Sequence, residues 1–256
     1  MDIAPGEKVK NGEVAVSAEK EAAAHRAIDA VEIGIVFQPI CDLRTRTVFG
    51  YEALARPVSP LFRGPQDLFL TAAHIGRVGE LGRVCRKLAL DHCPHWPLFL
   101  NIFPNEFDEG YLVRADDPIF RHRGPVYLEI VESVPLSHFA QCHSVLAEIR
   151  ARGSLLAVDD LGAGYSNLKY IAELAPEIVK IDRDLVAGAR RDTRQFRLLR
   201  SLVRLCRDMN ARVVMEGIET AEELAVAREV EADYCQGYHL GRPSLPPPNV
   251  ARSLLA

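Results

Sequence analysis

The feature that most limits how this chain can fold is the alternation of short apolar segments with segments of helical periodicity. The apolar segments are rich in β-branched residues and read GIVFQPI, TVFGYEALA, PLFLNIF, VYLEIVE, LLAVDDL, EIVKID, RVVMEGI and YCQGYHL. Helical patterns lie between most of them, at 65–93, 136–152, 167–174, 193–209 and 221–229. Without a Pro/Gly-rich linker to divide it, this alternation predicts the α/β class and a (β/α)8 TIM-like barrel; an open doubly wound sheet is the alternative.

The first two strands differ from the rest of this pattern. Only a short polar turn separates them in VFQPICDLRTRTVFGYEAL, so we expect an antiparallel hairpin and therefore a barrel with an antiparallel first strand. Residues 31–256 are predicted to form one barrel domain. Residues 1–30 are polar and rich in Ala, Glu and Lys, and we interpret them as an N-terminal arm or lead-in helix.

Composition and charge narrow the class of protein. The formal net charge of −4 gives no basic field of the kind that binds duplex nucleic acid. No stretch of about 18 apolar residues predicts a membrane span, and no secretory signal opens the sequence. The six cysteines are scattered without a C-x-x-C pair, which is typical of reduced thiols, so we expect a cytoplasmic protein.

Polar residues, most of them acidic, end the predicted strands. In a barrel of this type the carboxyl ends of the strands meet at one rim, where the chemistry is found. The residues in question are Glu52, Asn101, Glu129, Glu132, Asp159, Asp160, Lys180, Glu216 and Gln236. So many carboxylates repel one another unless cations lie among them, and oxygen ligands without His or Cys suit Mg²⁺ or Mn²⁺. The set is large enough for two ions, an arrangement used to cleave phosphodiesters.

Single motifs within this pattern have other readings. Adjacent aspartates before a glycine loop commonly form a turn or a helix cap. GAGYSN begins like a dinucleotide-binding turn, but it lacks the third glycine and follows two aspartates that would repel a pyrophosphate. His92, Cys93 and His95 lack a fourth ligand for zinc. The arginines of 190–207 recur at helical spacing and predict a solvated helix face, with partner docking or nucleic-acid binding as the lesser reading.

The segment YEALAR at 51–56 resembles the signature of the EAL domain family, the phosphodiesterases of cyclic di-GMP. The resemblance covers about residues 33–245. It continues in order through FQPI, LNIFPNEF, LEIVES, AVDDLGAGYSNL, VKIDRDLV, VVMEGIET and QGYHLGRP. It implies a barrel with an antiparallel first strand that hydrolyses one phosphodiester of cyclic di-GMP to give linear pGpG.

The resemblance also implies roles for individual residues. It assigns a first metal to Glu52, Asn101, Glu129 and Asp159, and a second to Asp159, Asp160 and Glu216. Lys180 would hold the attacking water, and Glu216 would act as general base. Substrate would be bound by Arg56, whose planar charged group suits a phosphate, and by Gln38, Gln236 and Asp182. Glu132 would stabilise the loop that follows Asp160.

Further implications concern regulation. The resemblance links the 159–168 loop to homodimer formation, and it implies that Ca²⁺ inhibits, because Ca²⁺ prefers looser coordination than Mg²⁺ or Mn²⁺. The leading hypothesis is an active phosphodiesterase that lowers the level of cyclic di-GMP in bacterial signalling. The alternatives are a catalytically silent cyclic di-GMP receptor that acts through a protein partner, and a barrel hydrolase for another phosphodiester.

Overall fold

Eight strands close into one barrel in sequence order. The computed structural model describes residues 16–255 except 108, 109, 111, 113, 132–138 and 163–167. The strands are β1 (Ile33–Asp42), β2 (Thr47–Pro57), β3 (Leu98–Ile102), β4 (Val126–Val131), β5 (Leu155–Leu161), β6 (Ile178–Ile181), β7 (Arg212–Met215) and β8 (Tyr234–Gln236). The predicted barrel is confirmed, and the open sheet is excluded.

The direction of β1 is reversed relative to all other strands. It pairs antiparallel with β2 through the register Gln38↔Glu52 and antiparallel with β8 through Ile40↔Gln236. The pairs from β2 to β8 are all parallel, so their carboxyl ends form one rim. The predicted antiparallel first strand is therefore confirmed, and the amino end of β1 lies at that same rim.

Helices pack around the barrel. They are α1 (Ala18–Asp29), α2 (Pro65–His74), α3 (Val78–His92), α4 (Phe139–Ala151), α5 (Leu168–Leu174), α6 (Arg183–Val186), α7 (Arg194–Asp208) and α8 (Ala221–Glu229). The helical pattern at 65–93 is divided into α2 and α3, because Gly76 takes φ +67° between them, a left-handed value that interrupts a helix. None of the described helices has the length and apolar character needed to cross a bilayer.

Helix α1 lies within the stretch interpreted as an arm or lead-in helix. Ser17 caps its first turn by accepting a hydrogen bond from Lys20 N. Ala24 and Ile28 are buried in a cluster with Leu68 of α2 and Leu81 of α3. The described part of this stretch is therefore a helix packed on the barrel's own helices.

The interior of the barrel is filled below the rim. Phe99 and Tyr127 stack with ring centroids 4.4 Å apart, and Phe49 and Tyr234 stack at 4.3 Å. Arg212, at the start of β7, donates hydrogen bonds to the hydroxyls of Tyr127 and Tyr234. This closed floor leaves the carboxyl rim as the end of the barrel where polar side chains can meet a ligand.

Candidate active site

A bulge in β5 explains how adjacent aspartates can serve one site. Val158 pairs with Val179 and Leu161 with Ile181, so Asp159 and Asp160 together stand opposite the single residue Lys180. In a regular strand, neighbouring side chains point to opposite faces. Asp160 instead takes φ +59°, and ligand oxygens of Asp159, Asp160 and Glu216 lie within 4.8 Å of one another. The bulge thus brings both carboxylates to the rim.

Lys180 of β6 lies at the centre of the acidic residues. Its Nζ is 2.7 Å from Glu129 Oε1, 2.8 Å from Glu216 Oε1, 2.9 Å from Asp159 Oδ1 and 3.5 Å from Glu52 Oε2. Burial alone would lower the pKa of Lys180, but these carboxylates raise it well above its ordinary value. Lys180 is therefore a fixed positive charge shared by acids from β2, β4, β5 and the end of β7.

The pKa values of Glu129 and Glu52 are shifted in opposite directions in this environment. Burial, and next the charge of Glu52, raise the pKa of Glu129 well above its usual range. Burial also acts to raise the pKa of Glu52, but Lys180 and the donors Gln236 and Asn101 outweigh it, and the pKa is lowered. The site therefore contains both strongly ionised and readily protonated carboxyl groups before any cation binds.

Asp160 and Glu216 lie at the more open side of this group. Burial and the neighbouring charge of Asp159 raise the pKa of Asp160 to about 6. Burial is also the largest cause that raises the pKa of Glu216 to about 8, although Lys180 opposes it. At neutral pH the carboxyl group of Glu216 therefore holds a proton that a bound cation would displace.

Glu52 is held by side-chain amides on two other strands. Asn101 Nδ2 donates to Glu52 Oε1 at 3.1 Å, and Gln236 Nε2 donates to Glu52 Oε2 at 2.5 Å. Gln236 Nε2 also donates to Gln38 Oε1 at 3.1 Å. The expectation that Glu52 ends its strand is wrong, because β2 continues to Pro57 in register with the reversed β1. The carboxylate reaches the site from the middle of the strand.

Not every predicted residue joins the group. Arg56 donates to the carbonyl oxygen of Ala55 at 2.8 Å, and Asp182 caps α6 by accepting from Asp184 N at 2.8 Å. Their substrate-binding roles stay predictions. Glu132 lies outside the described residues, as does part of the 159–168 loop. Within the described chain, the group of His, Cys, Asp and Glu that could hold a metal is Asp159, Asp160 and Glu216, which leaves His92, Cys93 and His95 without support as a zinc site.

A cleft of about 700 Å³ opens beside the acids. Its lining includes Glu52, Asn101 and Asp160 together with the apolar side chains of Leu54, Phe69 and Phe103. Apolar walls with a few convergent polar groups are typical of pockets for organic ligands. The cleft can therefore hold a molecule with flat or apolar parts against the acidic rim.

The strand-end pattern does not predict the residues of α2 and α3 that line this cleft. Phe69 stacks on Phe103 with ring centroids 5.5 Å apart, and Arg86 of α3 also lines the cleft. The available signal was a charged residue on the apolar stripe of a helix, because Arg86 shares the buried face of α3 with Leu81, Ala89 and Leu90.

Unsatisfied carboxylate oxygens make this group of side chains suitable for divalent cations. Lys180 carries three protons, fewer than the four carboxylates that surround it. Glu129 is fully buried, and neither of its carboxylate oxygens accepts an aligned hydrogen bond. All the candidate ligands are oxygen atoms, as Mg²⁺ and Mn²⁺ prefer. Asp159, Asp160 and Glu216 could hold one ion. The assignment of Glu52, Asn101, Glu129 and Asp159 to another ion stays a prediction.

Comparison with known proteins gives the family. A model of the EAL domain matches residues 21–243. The chain belongs to the EAL domain family. It is 30% identical over 236 residues to the oxygen sensor protein DosP of Escherichia coli, an alignment that covers 87% of this chain and 30% of DosP. The chain spans about a third of the length of the curated relatives it matches.

Solved structures of EAL proteins have the same fold. An EAL domain protein from Listeria monocytogenes is 27% identical, with a TM-score of 0.73 and coverage of 90% of this chain and 94% of that one. Klebsiella pneumoniae BlrP1, solved with manganese and cyclic di-GMP, is 27% identical, with a TM-score of 0.69 and coverage of 86% and 58%. The resemblance of the sequence to the EAL family is thus confirmed.

Proposed function

We propose that this EAL domain hydrolyses one phosphodiester bond of cyclic di-GMP to give linear pGpG, with Mg²⁺ or Mn²⁺ as the required ions. The observation that carries the proposal is the group of acidic side chains around Lys180, which lies beside a cleft large enough for an organic ligand. BlrP1, a structural relative, binds manganese and cyclic di-GMP, which supports both the ion and the ligand.

When bound, the two ions would supply Lewis acidity to the scissile phosphate and lower the pKa of the attacking water. The residues of the chain have separate tasks. Glu52, Glu129 and Asp159 would hold the first ion, and Asn101 and Gln236 hold Glu52 in place by donating hydrogen bonds to it.

Lys180 and Glu216 act nearest the reacting atoms in this proposal. The ammonium of Lys180 is buried and held by its acidic neighbours, so it can orient the attacking water and stabilise charge that develops on the phosphoryl group. Glu216 accepts a proton from that water. Its raised pKa means that this carboxyl must first be ionised, a change that cation binding favours.

Arg56 is proposed to pair with a substrate phosphate, and Gln38 and Asp182 to contact substrate or water. Ca²⁺ is proposed to bind the same carboxylates without supporting turnover, because it tolerates more ligands and looser geometry. We further propose that the domain acts in bacterial cyclic di-GMP signalling in the cytoplasm, as a homodimer formed through the 159–168 region.

The deciding experiment is incubation of the purified protein with cyclic di-GMP and Mn²⁺ or Mg²⁺, with EDTA and Ca²⁺ as parallel arms, followed by chromatography. Metal-dependent formation of pGpG is the expected result. Binding of cyclic di-GMP without product would instead favour the silent receptor. Equal cleavage of unrelated phosphodiesters in a substrate panel would favour a hydrolase of broader specificity.

A further inference from the structure

A buried network of ionic residues lies behind the cleft. Arg86 of α3 is 2% exposed, while Glu106 and Asp117 are 0% exposed. Arg86 Nη1 donates to Glu106 Oε2 at 2.6 Å, and Nη2 donates to Asp117 Oδ2 at 3.0 Å. One arginine thus ties α3 to two points of the connection between β3 and β4.

Glu106 also fixes the backbone of that connection. Its Oε1 accepts a hydrogen bond from Phe103 N at 3.0 Å. Its other carboxylate oxygen lies over Gly82 of α3, where an added Cβ atom would be only 2.0 Å away. The position of Glu106 therefore depends on the missing side chain of Gly82, and the position of Phe103 depends on Glu106.

Phe103 links the network to the candidate site in two ways. It follows Asn101 by two residues, and Asn101 donates to Glu52. Its ring stacks on Phe69, and both rings line the cleft together with Arg86. A shift of Glu106 would therefore move a candidate metal ligand and a wall of the cleft at the same time.

Burying an ionic network in this space costs free energy. Buried charges lose their hydration, and well-packed apolar residues are often at least as stabilising. Apolar packing, however, does not fix a backbone N–H in one direction, whereas a carboxylate held by an arginine does.

We propose that Arg86, Glu106 and Asp117 are positioning residues that hold Asn101 and the Phe103 wall in the geometry needed to bind metal and nucleotide. This inference rests on the proposed function. It identifies residues outside the set of candidate ligands on which the affinity of the site depends.

Two variants test the inference without altering a ligand. Glu106→Gln removes the charge that Arg86 holds, and Gly82→Ala displaces the Glu106 carboxylate while leaving its charge in place. Glu80→Gln is the matched control, because Glu80 lies on the same helix and its carboxylate accepts from Arg77 at 2.7 Å and 3.0 Å. Circular dichroism establishes that each variant is folded.

The main readout is Mn²⁺ affinity of the EDTA-treated, dialysed protein by calorimetric titration, which needs no turnover. We expect binding about tenfold weaker in Glu106→Gln and Gly82→Ala, the lower end of the range for groups that orient metal ligands, and unchanged binding in Glu80→Gln. KM for cyclic di-GMP should rise in the same two variants. Folded variants with wild-type Mn²⁺ affinity and KM would overturn the inference.

The Mn²⁺ titrations and the assay for pGpG also distinguish a failure of this inference from a failure of the proposed function. Wild-type protein that binds Mn²⁺ but makes no pGpG would refute the hydrolytic function, while the Mn²⁺ affinities of the variants would still support or refute positioning. Wild-type protein that binds no Mn²⁺ would overturn both.

Discussion

Lys180 Nζ lies 2.7 Å from Glu129 Oε1 at the mouth of the barrel, and the two side chains are 1% and 0% exposed. Two opposite charges removed from water stabilise the fold only while both are present. Three other carboxylates also approach Lys180, so this ammonium is a positive charge that four acids of the cation-free site share.

Replacement of that ammonium should therefore make stability depend on metal. We expect Lys180→Met to lower the free energy of unfolding in EDTA by about 3–5 kcal/mol, the usual effect of breaking a buried ion pair. Mn²⁺ should restore more stability to the variant than it adds to the wild type. Urea unfolding followed by circular dichroism measures both values. Lys87→Met is the control, since Lys87 forms an exposed pair with Asp91; equal effects of the two substitutions would contradict the prediction.

The bulge at Asp160 allows ligand loss to be separated from loss of fold. Asp160 takes φ +59°, which glycine adopts without strain and β-branched residues do not. We expect Asp160→Gly to be at least as stable as the wild type in EDTA, and Asp160→Val to be less stable by about 1–3 kcal/mol. Both should bind one Mn²⁺ fewer in a calorimetric titration. Retention of the full stoichiometry in Asp160→Gly would rule out Asp160 as a ligand.

The raised pKa of Glu216 predicts a pH dependence with a definite sign. A glutamate in the unfolded chain has a pKa of about 4.3, whereas burial raises the pKa of Glu216 in the folded, metal-free protein to about 8. Between these values the folded state binds more protons. The contribution of Glu216 to the free energy of unfolding in EDTA should therefore fall as the pH rises from about 4.3 to 8.

Metal binding should show the opposite trend. Mn²⁺ must displace the proton from Glu216, so its affinity should increase with pH up to about 8 and then level off. Titrations at several pH values test this, and Glu216→Gln should bind Mn²⁺ more weakly and with a shallower pH dependence. A wild-type affinity that does not change with pH would be inconsistent with a protonated Glu216.

Glu52 offers the most direct test of turnover. In Glu52→Gln the shape of the side chain is kept, but one oxygen that accepts from Asn101 or Gln236 becomes a donor. We expect the rate of pGpG formation to fall by more than about 100-fold, because a ligand and its hydrogen bonds are lost together. Glu148→Gln, at an exposed pair with Arg152, should have wild-type activity. Wild-type hydrolysis by Glu52→Gln would remove Glu52 from the mechanism.

The strand pattern was enough to place most of the site. Glu129, Asp159 and Lys180 lie on three neighbouring strands whose polar residues interrupt otherwise apolar sequence, so their meeting at the rim follows from the parallel order β4, β5, β6. The hairpin β1–β2 was also predictable, because its turn is too short for a parallel crossover.

Other features depend on contacts that local sequence does not encode. The bulge arises from the register between β5 and β6. The break in the continuous helical pattern falls where Gly76 takes φ +67°. The partners of Arg86 lie 20 and 31 residues away, so its ionic network could not be read from helix periodicity.

The reversed β1 determines where upstream sequence joins the domain. In a barrel whose strands all run in one direction, the chain enters at the end away from the active rim. Here Ile33 pairs with Pro57 at the rim, and α1 contacts α2, whose Phe69 lines the cleft. The chain ahead of β1 thus joins the barrel at the rim that bears the candidate site, where a small rotation of α1 would pass to α2 and the cleft without crossing the barrel.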